Sequence, residues 1–121
     1  MNDLGDNLLS WLNAALDMSY QRGNILAGNL ANADTPNFTP KDMDFEEALV
    51  SALGSESPVK ELPPVQVFSR SDNEQGLDGN RVDLDQEMTN QAANKLFYEI
   101  SSNTMKRKLD LLKYSIDEGG R

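Results

Sequence analysis

With 121 residues the chain has room for about one domain, and its 20 acidic and 11 basic side chains leave a formal net charge of −9. Because a phosphate backbone repels such a surface, we predict no nucleic-acid partner. Cysteine and histidine are both absent, which excludes thiolate nucleophiles, disulfides, imidazole bases and the commonest zinc ligands.

The charge is unevenly distributed along the chain. Residues 1–94 carry 5 basic and 16 acidic side chains, whereas residues 95–121 carry 6 basic and 4 acidic ones. Two interpretations stay open: an ordinary solvated acidic surface with a basic helix end, or head-to-tail attraction between copies of the chain.

No segment has the ~20 consecutive apolar residues of a membrane span. Acidic residues stand near the first residue, where a secretory signal would carry Lys or Arg. We therefore expect a protein that does not span a membrane, and that is cytosolic or leaves the cell without a cleaved signal.

The first predicted helix covers residues 3–32. One apolar stripe follows steps of three and four residues, with Ser19 and Gly23 as its small members; its leucines are Leu9, Leu12, Leu16, Leu26 and Leu30. A second stripe on an adjacent face consists of Leu4, Leu8, Trp11, Ala15, Met18 and Ile25. Since a helix with one neighbour needs one stripe, two stripes predict more than one neighbour.

A turn motif rich in Asn and Pro is predicted at residues 33–43. Asn32 favours a left-handed residue at the helix end, and Thr35-Pro36-Asn37-Phe38 is typical of a β-turn with Asn37 at positive φ. Phe38 is either a hydrophobic anchor that folds back or an exposed aromatic residue of a polar loop.

A short helix is predicted at residues 44–53, followed by an extended or mobile segment at 54–82 with a strand at Val65–Phe68. Because residues 55–72 lack periodicity, we expect them to be replaceable as one stretch. The carboxylate pairs Asp42/Asp44 and Asp83/Asp85 are interpreted as helix caps and not as acid–base catalysts.

The last predicted helix covers residues 83–116 and again carries two stripes. One contains Ala93, Phe97, Ile100, Thr104, Leu111 and Tyr114; the other contains Met105, Leu109, Leu112 and Ile116. The pattern predicts a mainly α fold whose long N- and C-terminal helices pair as a coiled-coil hairpin, with a short middle helix and an extended, turn-rich middle segment. Such helices keep apolar surface for other chains.

No constellation in the sequence indicates an enzyme, a metal site or a cofactor. The window from Glu74 to Asp85 places Gly79 as in a calcium loop, but Gly76 stands where a ligand is needed. No nucleophile, cationic clamp or phosphate-binding loop accompanies the carboxylates. We expect no catalysis, no cofactor and no small-molecule substrate.

The stretch "LAGNLANADTPNF" at the end of the first helix resembles the motif of the bacterial flagellar axial proteins of the rod and hook group. "TPKDMDFEEAL" and "DGNRVDLDQEMTNQAANKLFYEISSNTMKRKLDLLK" narrow the resemblance to the proximal rod members, over roughly residues 5–53 and 77–116. The group motif falls on Asn29, Ala31, Asn32, Thr35, Pro36 and Phe38. Asn37 stands where the group usually has glycine.

The resemblance implies a structural subunit that stacks helically into the drive shaft between membrane ring and hook. Its implied partners are other copies, other rod proteins, and the membrane-ring, export-gate and rod-adaptor proteins at the rod base. The implied location is the periplasmic rod of the basal body, reached through the flagellar type III apparatus without a cleaved signal. The expected assembly interface comprises Leu9, Leu12, Leu16, Leu26, Leu30, Phe97, Ile100, Leu109 and Leu112. The alternative is a cytosolic helical-hairpin adaptor or secretion chaperone.

Overall fold

The computed structural model describes residues 3–53, 65–70 and 82–119. In chain order the elements are α1 (Asp3–Ala31), β1 (Lys41–Met43), α2 (Phe45–Leu53), β2 (Val67–Ser69) and α3 (Leu84–Gly119). The predicted fold class is confirmed, since α1 and α3 are long helices that pack against each other and the middle elements are short. The segments 54–64 and 71–81, which include most of the predicted 54–82 stretch and of the calcium-like window, lie outside the described residues.

Helix α1 is the central element and has the several neighbours that its two stripes predicted. On the first stripe, the backbone carbonyls of Ser19 and Gly23 accept hydrogen bonds from α3. On the second, Ala15 and Met18 are fully buried and form a cluster with Leu49 of α2. Trp11 packs on this cluster and donates from Nε1 to the carbonyl of Leu49 at 2.9 Å.

The end of α1 is capped differently from the prediction. Asn32 does not adopt a left-handed conformation; its Nδ2 donates to the carbonyl of Gly28 at 2.8 Å, so the side chain satisfies a terminal carbonyl directly. Asn37 is the residue at positive φ, with a value of 66°. The Phe38 N–H donates to the Thr35 carbonyl at 3.3 Å, which confirms the predicted β-turn.

The two short strands pair antiparallel, with Asp42 opposite Phe68 and Met43 opposite Val67. The hydrogen bond from Arg70 N–H to the Pro40 carbonyl, at 2.7 Å, continues the pairing beyond the strand ends. The observed strand thus begins two residues later and ends one residue later than the predicted strand at Val65–Phe68. Residues 65–70 have specific partners within the chain, so replacing 55–72 as one stretch would also remove these contacts. That the stretch is replaceable stays a prediction.

Helix α3 begins as predicted, with Asp83 as its cap: Oδ1 of Asp83 accepts from the Gln86 N–H at 3.2 Å. Its buried residues are Glu87, Asn94 and Ser101, which are all polar and recur every seven residues. Nine of its large apolar side chains are exposed, namely Leu84, Met88, Leu96, Tyr98, Ile100, Leu109, Leu111, Tyr114 and Ile116. The helix therefore packs within the chain through a polar seam and presents apolar residues outward.

From residue 102 onward α3 has little cover from the described part of the chain. Only Met105, Lys108 and Leu112 are half-buried there, and the other residues up to Gly119 are exposed. Helices gain most of their stability from packing, so this end has the weakest support in the isolated chain.

We therefore predict that a dilute monomer is less helical than the 29, 9 and 36 residues of α1, α2 and α3. Amide protons of residues 106–119 should exchange with solvent fastest among the helical residues, because their helix turns are the least packed. Circular dichroism and hydrogen exchange measure both effects. Full helicity with a sharp melt in a proven monomer would contradict the prediction.

Candidate functional site

A cluster of buried polar side chains joins all the main elements where α1 ends. We call it the elbow network; it consists of Arg22 and Asn29 of α1, Asp42 of β1, Arg70 just after β2, and Glu87 of α3. It lies directly beside the turn that follows α1.

Asn29 joins the end of α1 directly to both β1 and α3. Its Nδ2 donates to the Lys41 carbonyl at 2.7 Å and to Oε2 of Glu87 at 3.1 Å. Its Oδ1 accepts from the Lys41 N–H at 2.9 Å. The amide thus binds both backbone groups of Lys41 as a neighbouring strand would. The Asn29 side chain itself is buried, at 1% exposed.

Asp42 is held between two arginines. Arg22 donates from Nε to Oδ1 at 2.9 Å and from Nη2 to Oδ2 at 3.2 Å, while Arg70 donates from Nη2 to Oδ2 at 2.9 Å. Burial by itself raises the pKa of Asp42, but the hydrogen bonds from Arg22, Arg70 and the Met43 N–H, with the charge of Arg22, outweigh it and lower that pKa below its ordinary value. The guanidinium of Arg22 also lies 4.8 Å from the centre of the Phe45 ring, a cation–π contact with α2.

Arg70 links the strands to α3. In addition to Asp42 it binds Glu87, donating from Nη1 to Oε1. The Glu87 side chain is completely buried. Its second oxygen accepts the hydrogen bond from Asn29. Two cations and two carboxylates therefore balance in charge, and each carboxylate receives more than one hydrogen bond.

Such an arrangement favours a structural role over a chemical one. The four charged groups are bound to one another, and no cluster of metal-ligating side chains occurs among the residues that the structure describes. A buried ion network of this kind fixes the relative orientation of the elements that carry it, and removal of one partner leaves a buried charge at a cost of about 3–5 kcal/mol.

Of the predicted motif residues, Asn29 belongs to the elbow network. Asn32 caps α1, and its Oδ1 accepts from Oγ1 of Thr35 at 3.2 Å. Ala31 and Pro36 are exposed, whereas Phe38 is half-buried and is not among the side chains that pack on the Ala15–Met18–Leu49 cluster. Within the motif, Asn29 thus connects α1 with β1 and α3, whereas Asn32 and Thr35 stabilise the turn.

The predicted interface residues have different surroundings. Leu12 and Leu26 are 3% and 0% exposed, so the chain itself already covers them. Phe97 packs on the apolar cluster, with its ring 5.9 Å from that of Phe45. Ile100 and Leu109 are exposed. The half-buried members are Leu9, Leu16, Leu30, Phe97 and Leu112.

Four of the five network residues were not predicted from the sequence. Asp42 was interpreted as a helix cap, which is wrong, because it lies in β1 and binds two arginines. Arg22 and Glu87 carried a usable signal: each is a charged residue at a position that faces a partner helix. Arg70 had no signal, since its role depends on the pairing of β2 with β1.

The lowered pKa of Asp42 predicts a specific pH dependence. Its carboxylate stabilises the fold above the unfolded-state pKa of about 4, and this stabilisation is lost as pH falls through the lower folded-state pKa. The difference in melting temperature between wild type and Asp42→Asn should be constant above about pH 4 and shrink below it. Thermal unfolding of both proteins at a series of pH values, in an osmolyte that favours the compact state, measures this difference. A difference that does not change with pH would contradict the prediction.

Arg70→Met should leave the Glu87 carboxylate buried without its cation and destabilise the fold by about 3–5 kcal/mol. The matched control is Arg107→Met, which removes an exposed arginine of α3 and should change stability by less than about 0.5 kcal/mol. Urea unfolding in the same osmolyte measures both. Equal effects of the two substitutions would show that Arg70 makes no special contribution.

Comparison with known proteins places these features in a family, although no protein-family model matches the chain. The flagellar basal body rod protein FlgB of Escherichia coli (strain K12) is 35% identical over 123 residues, covering 87% of this chain and 89% of that protein. FlgB of Yersinia enterocolitica is 33% identical over 117 residues, covering 82% and 85%. FlgB of Bacillus subtilis (strain 168) is 28% identical over 118 residues, covering 89% and 92%. No membrane-crossing helix is found in the described residues. The chain therefore belongs to the FlgB family of flagellar basal body rod proteins.

Proposed function

We propose that this chain is a structural subunit of the proximal rod, and that it assembles helically with copies of itself and other rod proteins into the shaft that carries torque from membrane ring to hook. The observation that carries the proposal is the reversed polarity of α3. Its buried residues are polar and nine of its large apolar side chains are exposed. Exposed apolar residues of this number are typical of a surface that another chain covers.

Four of the nine exposed apolar residues of α3 lie together on the side of the helix that faces away from α1. At about 100° per residue, Ile100 and Leu111 lie about 100–120° around the helix from Asn94 in the polar seam. Leu96 and Tyr114 lie about 160° from it. These four side chains are 57%, 63%, 57% and 65% exposed in the order named. We propose that this face contacts other subunits.

Two members of the expected interface are exposed in the single chain, Ile100 and Leu109. Ile100 belongs to the outer face. Leu109 lies about 60° around the helix from Asn94, on the seam side, in the part of α3 that the described residues cover least. In the proposal Leu9, Leu16, Leu30 and Leu112 contribute at the edges of the hairpin. Leu12, Leu26 and Phe97 act indirectly, since they hold the chain's own helices together.

The distribution of charge supports contact between the basic C-terminal part of one subunit and the acidic remainder of its neighbour. The C-terminal part of α3 carries Lys106, Arg107, Lys108 and Lys113, whereas residues 1–94 have an excess of 11 acidic side chains, 16 against 5. A head-to-tail arrangement brings these opposite charges together, which favours the correct orientation of approach.

The elbow network has a mechanical part in this proposal. Asn29 and the two ion-paired arginines fix where the chain leaves the shaft helix, so that each copy directs its middle segment at the same angle. We further propose export through the flagellar type III apparatus without a cleaved signal, and contacts with membrane-ring, export-gate and rod-adaptor proteins at the rod base. The absence of cysteine suits a subunit that is exported unfolded, because no thiol can form a wrong disulfide.

The proposal predicts that Ile100→Asp and Leu109→Asp abolish swimming while the protein is still made and exported. Both residues are exposed in the single chain, so folding is spared, but in an assembly each copy would bury an unpaired carboxylate. Swimming in soft agar, export into the medium and electron microscopy of basal bodies are the measurements. The control Gln21→Asp puts the same group at an exposed polar position of α1, outside the proposed contact face of α3, and should preserve swimming.

Localisation provides an independent test. Purified basal bodies from wild-type cells should contain the protein, and cells that lack it should form no rod. Detection of the protein only in the cytosol, or wild-type swimming of both Ile100→Asp and Leu109→Asp cells, would contradict the rod-subunit function and favour an adaptor or chaperone.

A further inference from the structure

The contact between α1 and α3 contains a ladder of side-chain amides and carbonyls. Asn94 donates from Nδ2 to the Ser19 carbonyl at 2.8 Å, and Gln91 donates from Nε2 to the Gly23 carbonyl at 3.3 Å. Asn29 and Glu87 form the third rung, at 3.1 Å. Successive rungs descend α3 while they ascend α1, so the helices are antiparallel and each rung defines one relative position along their axes.

The contribution of Asn94 to stability does not explain why an asparagine is buried at this position. Its side chain lies in a seam between two helices and is 6% exposed, and its Oδ1 has no hydrogen-bond partner among the described residues. A buried carbonyl oxygen without a partner is unfavourable and offsets the stabilisation from the hydrogen bond to Ser19, so an apolar side chain here can be neutral or stabilising. A single buried asparagine in a helix–helix seam is known to select one register at the expense of stability.

The leucine stripe of α1 has a gap at Ser19, and the Asn94 side chain lies against this gap. Ser19 interrupts the leucine stripe, and Leu12 and Leu26 stand seven residues before and after it on the same face. Gly23 lies on the next turn and is close to the asparagine, since a Cβ there would come to 3.4 Å from Nδ2 of Asn94. If α3 slipped by one heptad in either direction, Asn94 would lie against a buried leucine and lose its carbonyl partner.

From these contacts we infer that Asn94, with Gln91, determines the register of the α1–α3 hairpin by pairing with the gap at Ser19 and Gly23. The apolar stripe of α1 would by itself accept α3 in several positions, because leucines recur along it. The amide pairing selects the position in which Asn29 meets Glu87 and the elbow network can form.

The register can be measured directly, because the chain has no native cysteine. Spin labels on the exposed positions Asp17→Cys and Asp110→Cys report the distance between the helices in the full chain, in an osmolyte that maintains the fold. A slip of one heptad moves the labels by about 10 Å along the axis. The labelled chain with Asn94 intact should show one narrow distance distribution.

Asn94→Leu should keep or raise the melting temperature and should add a second distance, displaced by about 10 Å. The matched control Asn103→Leu makes the same replacement at an exposed position of α3 and should keep the single distance. Asn94→Leu combined with Ser101→Asn moves the amide one heptad along the seam, and should increase the population of the register in which residue 101 meets Ser19.

Three results would overturn the inference. One is a single unchanged distance in Asn94→Leu and in the combined variant, because the apolar stripe and the elbow network would then define the register without Asn94. Another is an equal change in Asn103→Leu. The third is a lower melting temperature for both Asn94→Leu and the smaller replacement Asn94→Ala, because Asn94 would then be a stabilising contact and not a selector of register.

Discussion

One amide side chain, that of Asn29, meets three hydrogen-bonding groups in a place from which water is excluded. Two of them are the backbone N–H and carbonyl of Lys41, the first residue of β1, and the third is the carboxylate of Glu87 in α3. A shorter polar side chain would reach fewer partners, and an apolar one would leave the Lys41 backbone groups and one oxygen of the buried Glu87 carboxylate without these hydrogen bonds. The angle at which the chain leaves α1, the place of the small sheet and the start of α3 therefore depend on this contact.

Polar and apolar interactions have different roles around that contact. Polar groups with strict geometry hold the chain's own elements together at the elbow and along the α1–α3 seam. Apolar side chains, which tolerate many geometries, lie outward on α3. A hydrogen bond is satisfied at one position, whereas apolar burial depends mainly on area. The geometrically specific hydrogen bonds thus lie within the subunit, whereas the less selective apolar side chains of α3 are available to neighbouring chains.

The sequence was sufficient for the helices and the turn, because these depend on local patterns. The two stripes of α1, the Asp83 cap and the positive φ of Asn37 each follow from residues close together in the chain. The elbow network was missed for the opposite reason. Arg70 and Asp42 are 28 residues apart, and only the pairing of β1 with β2 brings them together. The role of Ser19 was likewise hidden, since a gap in a leucine stripe acquires meaning only when Asn94 is found opposite it.

The long spacing of these contacts along the chain has a consequence for the order of folding. Asn29 is separated from Glu87 by 58 positions, and Asn94 from the Ser19 carbonyl by 75. Contacts this distant in sequence form late, because the loop between them must close first. If the chain emerges from a narrow passage beginning with α1, its first 80 residues have none of the partners that α3 supplies. In such a chain the elbow network and the α1–α3 hairpin cannot form until the last third has emerged, and the two then form together.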